Sequence, residues 1–197
     1  LDCRSLDVSP IPFPTDAVIM IVHSGVTRGL VDSAYNDRRL QCSDAASHYH
    51  VPALRDLALP ALEVGRGELD ETTFRRARHV VSENARTLAA VQAMRESDLV
   101  QLGREMLASH VSLRDDFAVS HPEIDALVEC ITDVIGNYGG ARMTGGGFGG
   151  CVVAVLPHKR VSAVQEALSV HWRRRGTEPQ LVLVAKPAIG AHLLSAW

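Results

Sequence analysis

The stretch "GGARMTGGGFGGCVVAVLP", Gly139 to Pro157, decides how the chain is read. Five glycines fall within Gly145–Gly150, interrupted only by Phe148, and a run of small apolar residues follows at once. Glycine loses more conformational freedom on folding than any other residue, so this density marks backbone that bends unusually or approaches something closely. Formally, Gly145, Gly147 and Gly150 satisfy G-x-G-x-x-G. The dinucleotide fingerprint needs that pattern to leave a strand and open a helix, whose N-terminus then faces a pyrophosphate. Here the pattern reads in reverse, helix, glycines, strand, and the dinucleotide reading is excluded. No Gly-Lys-Ser/Thr closes the run, and no HRD or DFG set accompanies it, so neither a P-loop nor a protein kinase fits. What remains is a glycine loop entering a central strand. Either the glycines let the strand end pass tightly beneath another element, or that passage shapes an anion site, from its own N–H groups or by buttressing a second phosphate-holding loop.

Working outward from the loop, "CVVAVL" reads as a buried strand, Val161 to Arg175 as a helix and "LVLVAKP" (Leu181–Pro187) as a last strand. On the N-terminal side, Pro122 opens a helix through Ile124, Leu127, Val128, Ile131 and Ile135, with proline in the first turn where its missing N–H is harmless. Glu71 to Phe117 predicts two helices. Phe74, Ala77, Val80, Val81, Ala85, Leu88 and Val91 form the apolar stripe of the first. Ser97-Asp98 breaks it and caps the second, through Leu99, Leu102, Met106 and Val111, as an antiparallel hairpin. Pro52 and Pro60 bracket a short helix or turn. A helix runs through "VDSAYNDRRLQCSDAASHYH", with Asp32 or Ser33 as N-cap and Leu40 and Ala45 on its less polar face. "AVIMIVHS" (Ala17–Ser24) is a buried strand. "IPFPTD" (Ile11–Asp16) is a proline-rich connector, and the opening "LDCRSL" reads as strand-like. Strands separated by successive helices predict an α+β, two-layer sandwich with helices mainly on one face of one sheet.

Composition narrows the function classes. The 197 residues suffice for one generous domain, and 46% apolar with 22% charged residues is globular. A net charge of −3 offers no electrostatic case for nucleic acid or an acidic membrane. The basic runs Arg75–Arg78 and Arg173–Arg175 read as solvated helix faces. Cys3, Cys42, Cys130 and Cys151 lack CxxC spacing, which points to free thiols in a reducing cytoplasm. No apolar run is long enough to span a membrane as a helix. His48-x-His50 suits a metal only if a third ligand converges, and none is evident in the neighbouring sequence. Asp115 and Asp116, adjacent on a helix, point in different directions and read as structural. Arg142 reads as paired with an acidic neighbour.

The glycine segment resembles the third signature of the GHMP kinases, and the variant with Arg142-Met143-Thr144 and Phe148 is most similar to the galactokinase branch. "LDCRSL", "SAYNDRRLQC" (Ser33–Cys42), "PALRDL" (Pro52–Leu57), "ENART" (Glu83–Thr87), "SHVSLRDDF" (Ser109–Phe117) and "HPEIDALV" (His121–Val128) resemble phrases of that branch in the same order. The resemblance covers Leu1 to about Lys186. It implies a ferredoxin-like C-terminal domain over 17–197, preceded at 1–16 by a strand and connector from a domain boundary. It implies phosphoryl transfer from ATP, with Mg2+, to the anomeric hydroxyl of galactose.

It also implies that Tyr35 faces the sugar, against the alternative of a core or interface tyrosine. Gly145, Gly146, Gly147, Phe148, Gly149 and Gly150 would lie near the nucleotide, and a bulky residue at Gly147 or Gly149 would hurt nucleotide binding more than folding. The family's sugar-reading motif, serine-rich phosphate loop and catalytic aspartate have no counterpart here. The chain is therefore expected to be the C-terminal half of such an enzyme, with no catalytic and no metal-binding residue of its own, inactive without the N-terminal domain as partner. Two other readings remain: a non-catalytic sugar and nucleotide sensor of the same fold, and a free-standing interaction domain.

Overall fold

A computed structural model describes residues 1–27 and 32–188. Strands β1 (Ala17–His23), β2 (Gly140–Thr144), β3 (Cys151–Pro157) and β4 (Val182–Ala185) form one sheet in the order β2-β3-β1-β4, every neighbour antiparallel. Register is set by the period of two. Val18, Met20 and Val22 of β1 share a face with Ala141 and Met143 of β2 and with Val152, Ala154 and Leu156 of β3. On that face lie helices α5 (Pro122–Ile135) and α6 (Val161–Arg175). Ile124, Leu127, Val128, Ile131 and Ile135 of α5, and Val164, Leu168 and Trp172 of α6, are buried against it. Each such side chain contributes roughly 1.5–3 kcal/mol before its entropy is charged. With α5 before β2 and α6 before β4, the chain follows the β-α-β-β-α-β plan expected of it.

Between β1 and α5 the chain inserts α1 (Asp32–His48), α2 (Leu59–Val64), α3 (Glu71–Arg95) and α4 (Leu99–Asp115). Asp70 caps α3 by accepting from Thr73 N, and Asp98 caps α4 by accepting from Gln101 N at 2.9 Å, so the break expected at Ser97-Asp98 is where the hairpin turns. The N-cap expected at Asp32 or Ser33 concerns side chains outside the described set. Pro60 lies in the first turn of α2, and a 3-10 turn at Leu54–Asp56 precedes it.

The stripe predicted along α3 is correct in its first half only. Phe74, Ala77 and Val81 are buried in a helical core with Ala45 and Ala46 of α1, whereas Leu88 is 71% exposed and Ala85 also faces out. The helix changes partner along its length. Its C-terminal half turns Ala90, Ala93 and Met94 toward Leu102 and Met106 of α4 and Ala17 and Val155 of the sheet. The helical hairpin thus covers part of the second sheet face, an addition to the one-sided layering expected. Ala45 is buried as predicted, but Leu40 is exposed.

No strand lies in residues 1–16. The Asp2 carboxylate accepts from the N–H of Arg4 at 2.7 Å and of Ser5 at 3.3 Å, closing a turn. Arg55 pins that carboxylate with two bonds of 2.8 and 2.7 Å. Pro10, Pro12 and Pro14 then deny the segment a ladder. Among the described residues no helix is long and apolar enough to cross a membrane.

Candidate functional site

The glycine run joins two strands. Ala141 and Met143 alternate with Arg142 and Thr144 in β2, which pairs with β3 over Gly140–Val155 to Thr144–Cys151. Residues 140–144, not predicted as a strand from the sequence, therefore form an edge strand, and Gly145–Gly150 close a hairpin. No helix follows, which keeps the dinucleotide reading excluded. The turn needs left-handed backbone at Gly145 (φ 84), Gly147 (φ 87), Phe148 (φ 60), Gly149 (φ 141) and Gly150 (φ 90). Its exposed tip is Gly145 and Gly146, whereas Gly147 and Gly149 are buried.

The buried glycines touch the protein itself. A Cβ on Gly147 would enter the Val119 carbonyl and side chain, and one on Gly149 would lie 2.8 Å from the Val26 carbonyl oxygen. Phe148 donates its N–H to Val119 O at 2.7 Å, and Gly150 donates to Val26 O at 3.2 Å. The close-passage reading thus describes Gly147 and Gly149, where a side chain would strain the fold itself. Phe148 and Gly150 are half-buried, so the tip is the most exposed part of the loop.

Tyr35 stands on the first turns of α1, 65% exposed. It is no core tyrosine. One turn on, Arg38 Nε donates to Phe117 O at 2.7 Å and Nη2 to Ala118 O at 3.1 Å.

Beneath β2 lies a polar cluster whose role the sequence left open. Glu83 of α3 accepts from Arg86 Nε at 2.7 Å, from Ser109 Oγ, and from Arg142 Nη1 at 3.4 Å. Burial alone would raise its carboxyl. The Ser109 and Arg86 hydrogen bonds and the Arg142 charge outweigh that and hold it below its ordinary value. Arg142 is thus paired, as expected, and burial lowers its affinity for the proton despite Glu83. Glu83, Arg86, Ser109 and Arg142 line a cavity of about 210 Å³.

Behind them His110 Nδ1 accepts from Met143 N at 3.4 Å, and its Nε2 faces Asp125 at 3.3 Å. His79 stacks on Phe117 and meets Ser112 Oγ at 3.0 Å; burial pushes it down to about 4. Asp116 pairs with Arg78 and Asp115 with Arg114, so each carboxylate is held by an arginine. His48 Nε2 lies 3.1 Å from Glu68. No group of three or more His, Cys, Asp or Glu among the described residues could hold a metal ion.

Residues 90–174 match the family profile described as "GHMP kinases C terminal". The chain carries a GHMP kinase C-terminal domain. A galactokinase of Actinobacillus succinogenes is 46% identical to this chain over 195 residues, 98% of the chain and 51% of that protein. The Lactococcus lactis galactokinase solved in complex with galactose superposes with a TM-score of 0.85 at 35% identity, covering 94% of this chain and 49% of that one. A Streptococcus pneumoniae phosphomevalonate kinase shares the fold, with TM-score 0.54 at 12% identity over 91% of this chain and 44% of its own. The chain spans about half the length of the galactokinases it matches.

Proposed function

We propose that this chain is the C-terminal portion of a galactokinase, which transfers the γ-phosphoryl of ATP to the anomeric hydroxyl of galactose. One observation carries the reading: similarity to galactokinase runs along 98% of the chain at 46% identity, far beyond a shared fold. Phosphoryl transfer requires the acceptor oxygen in line with the γ-phosphorus, and compensation of the developing charge. In this reading Tyr35 contributes to the first requirement. Its exposed ring covers an apolar face of the sugar while the phenol O–H donates to a sugar hydroxyl. The exposed Gly145–Gly146 tip lies toward the nucleotide, and the buried Gly147–Gly149 segment anchors it.

Magnesium accompanies the nucleotide in this proposal. In this reading the metal, the phosphate-wrapping loop and the carboxylate that orients the acceptor are supplied by the remainder of the enzyme. That remainder is the partner the chain requires. The cytoplasm is the compartment we assign, where ATP is abundant and the unpaired thiols of Cys3, Cys42, Cys130 and Cys151 stay reduced.

The test is ADP release with and without galactose. A galactokinase-length chain carrying these residues is expected to release ADP only when galactose is present, with Tyr35→Phe raising the KM for galactose about tenfold. The 197-residue chain by itself is expected to stay at background. Galactose-independent ADP release, or turnover by the 197-residue chain alone, overturns the proposal.

A further inference from the structure

Four consecutive carbonyls leave the end of α4 and are taken by four donors. Arg76 of α3 donates to Asp116 O, Arg38 of α1 to Phe117 O and Ala118 O, and the Phe148 N–H of the glycine loop to Val119 O. Ala118 sits at φ 51, a conformation costly for a residue with a Cβ, so the surrounding bonds hold it there. Gln41 Oε1 ties the two arginines together, 3.3 Å from Arg76 Nε and 3.5 Å from Arg38 Nη1. A helix C-terminus can satisfy its carbonyls with any cation or with water. Here the cation comes from the helix that bears Tyr35, one turn earlier, and the next carbonyl in line carries the loop.

We propose that Arg38 is a positioning residue that sets the spacing between Tyr35 and the glycine loop through the carbonyls of residues 117–119. A planar guanidinium with two parallel donors fixes both the distance and the angle of α1 against this segment, which a lysine cannot do. The inference rests on the reading of Tyr35 and the loop as sugar-side and nucleotide-side elements, and its test separates the two.

The first arm uses the 197-residue chain and hydrogen exchange. Arg38→Ala is expected to speed exchange of the Phe148 amide at least tenfold, with the strand amides of Met20 and Ala154 unchanged. Arg38→Lys is expected to fall between parent and Arg38→Ala. Arg39→Ala, on the exposed side of the same helix, is expected to match the parent. The second arm measures kinetics in a galactokinase-length chain. There Arg38→Ala is expected to raise the KM for galactose and for ATP together, each about fivefold, with a smaller change in kcat. A merely structural arginine would lower the active fraction, and hence apparent kcat, at constant KM. Unchanged Phe148 exchange overturns the proposal, and so does faster exchange with both KM values constant. If the parent galactokinase-length chain fails to turn over galactose, the kinase reading falls, and the exchange arm alone decides whether Arg38 governs the loop.

Discussion

Gly103, in the second turn of α4, lies directly against the carbonyl of Gly139 at the entry to β2. The approach is mutual, because a Cβ on Gly140 would sit 2.6 Å from the Gly103 Cα and 2.7 Å from its carbonyl oxygen. α4 is thus laid on the edge strand backbone to backbone, and this seats the strand that feeds the glycine loop.

Alanine at position 103 sets two effects against each other. Relieving a glycine within a helix is worth about 1 kcal/mol. The new methyl group would be forced into the Gly139 carbonyl, where only main-chain movement can make room. Overpacking against backbone outweighs propensity, and Gly103→Ala is expected to lose about 3 kcal/mol net. A lower urea midpoint at constant slope is the expected result; a raised midpoint would mean the two backbones can part.

Within the loop, the sign of a substitution depends on which glycine is changed. Gly147 combines φ 87 with direct contact against Val119, so Gly147→Ala is expected to destabilise by about 2 kcal/mol. Gly146 is exposed and is not among the residues of positive φ, so Gly146→Ala is expected to move stability by less than about 0.5 kcal/mol. Equal losses at both positions would contradict this division between anchor and tip.

What could be read from the sequence follows from which interactions are local. The stripe of α5 was legible because Ile124, Leu127, Val128, Ile131 and Ile135 serve one sheet face throughout, so period and burial agree. The stripe of α3 misled at Leu88 because that helix serves two cores in succession, and a change of partner leaves no mark on a simple period. β2 was missed although Ala141 and Met143 alternate with Arg142 and Thr144; the glycines on both sides masked that alternation. Arg38 could not have been assigned at all, since its partners are main-chain carbonyls of residues 117 and 118, and carbonyls have no sequence signature.

The ion cluster under β2 gives a graded test. Glu83→Gln keeps the shape and removes the charge that faces Arg86 and Arg142; Glu83→Ala removes the hydrogen bonds as well. These side chains are only partly exposed, so losses of about 1 kcal/mol for Gln and about 2 kcal/mol for Ala are expected. Adding Arg142→Met to Glu83→Ala is expected to restore part of the loss, because the unpaired cation goes with it. Strictly additive losses would show that Glu83 and Arg142 do not act on each other.

Stability is also expected to depend on pH through His79. Burial holds its folded pKa at about 4, below the ordinary 6.5, with Glu83 pulling the other way. Between those values the unfolded chain binds a proton that the folded chain refuses, so the folded state weakens as pH falls through that window. The slope approaches about 1.4 kcal/mol per pH unit for one such group, and vanishes above the ordinary value where both states are neutral. His110, lowered by burial with Asp125 opposing, adds in the same direction. Glu83, held below its ordinary 4.5, adds a loss of the same sign at more acid pH. Urea midpoints are therefore expected to be flat from about pH 8 to about pH 7 and to fall steadily toward about pH 4.5. His79→Gln, which keeps a polar partner for Ser112 without a titrating ring, is expected to flatten that fall; a slope unchanged by the substitution would assign the acid sensitivity elsewhere.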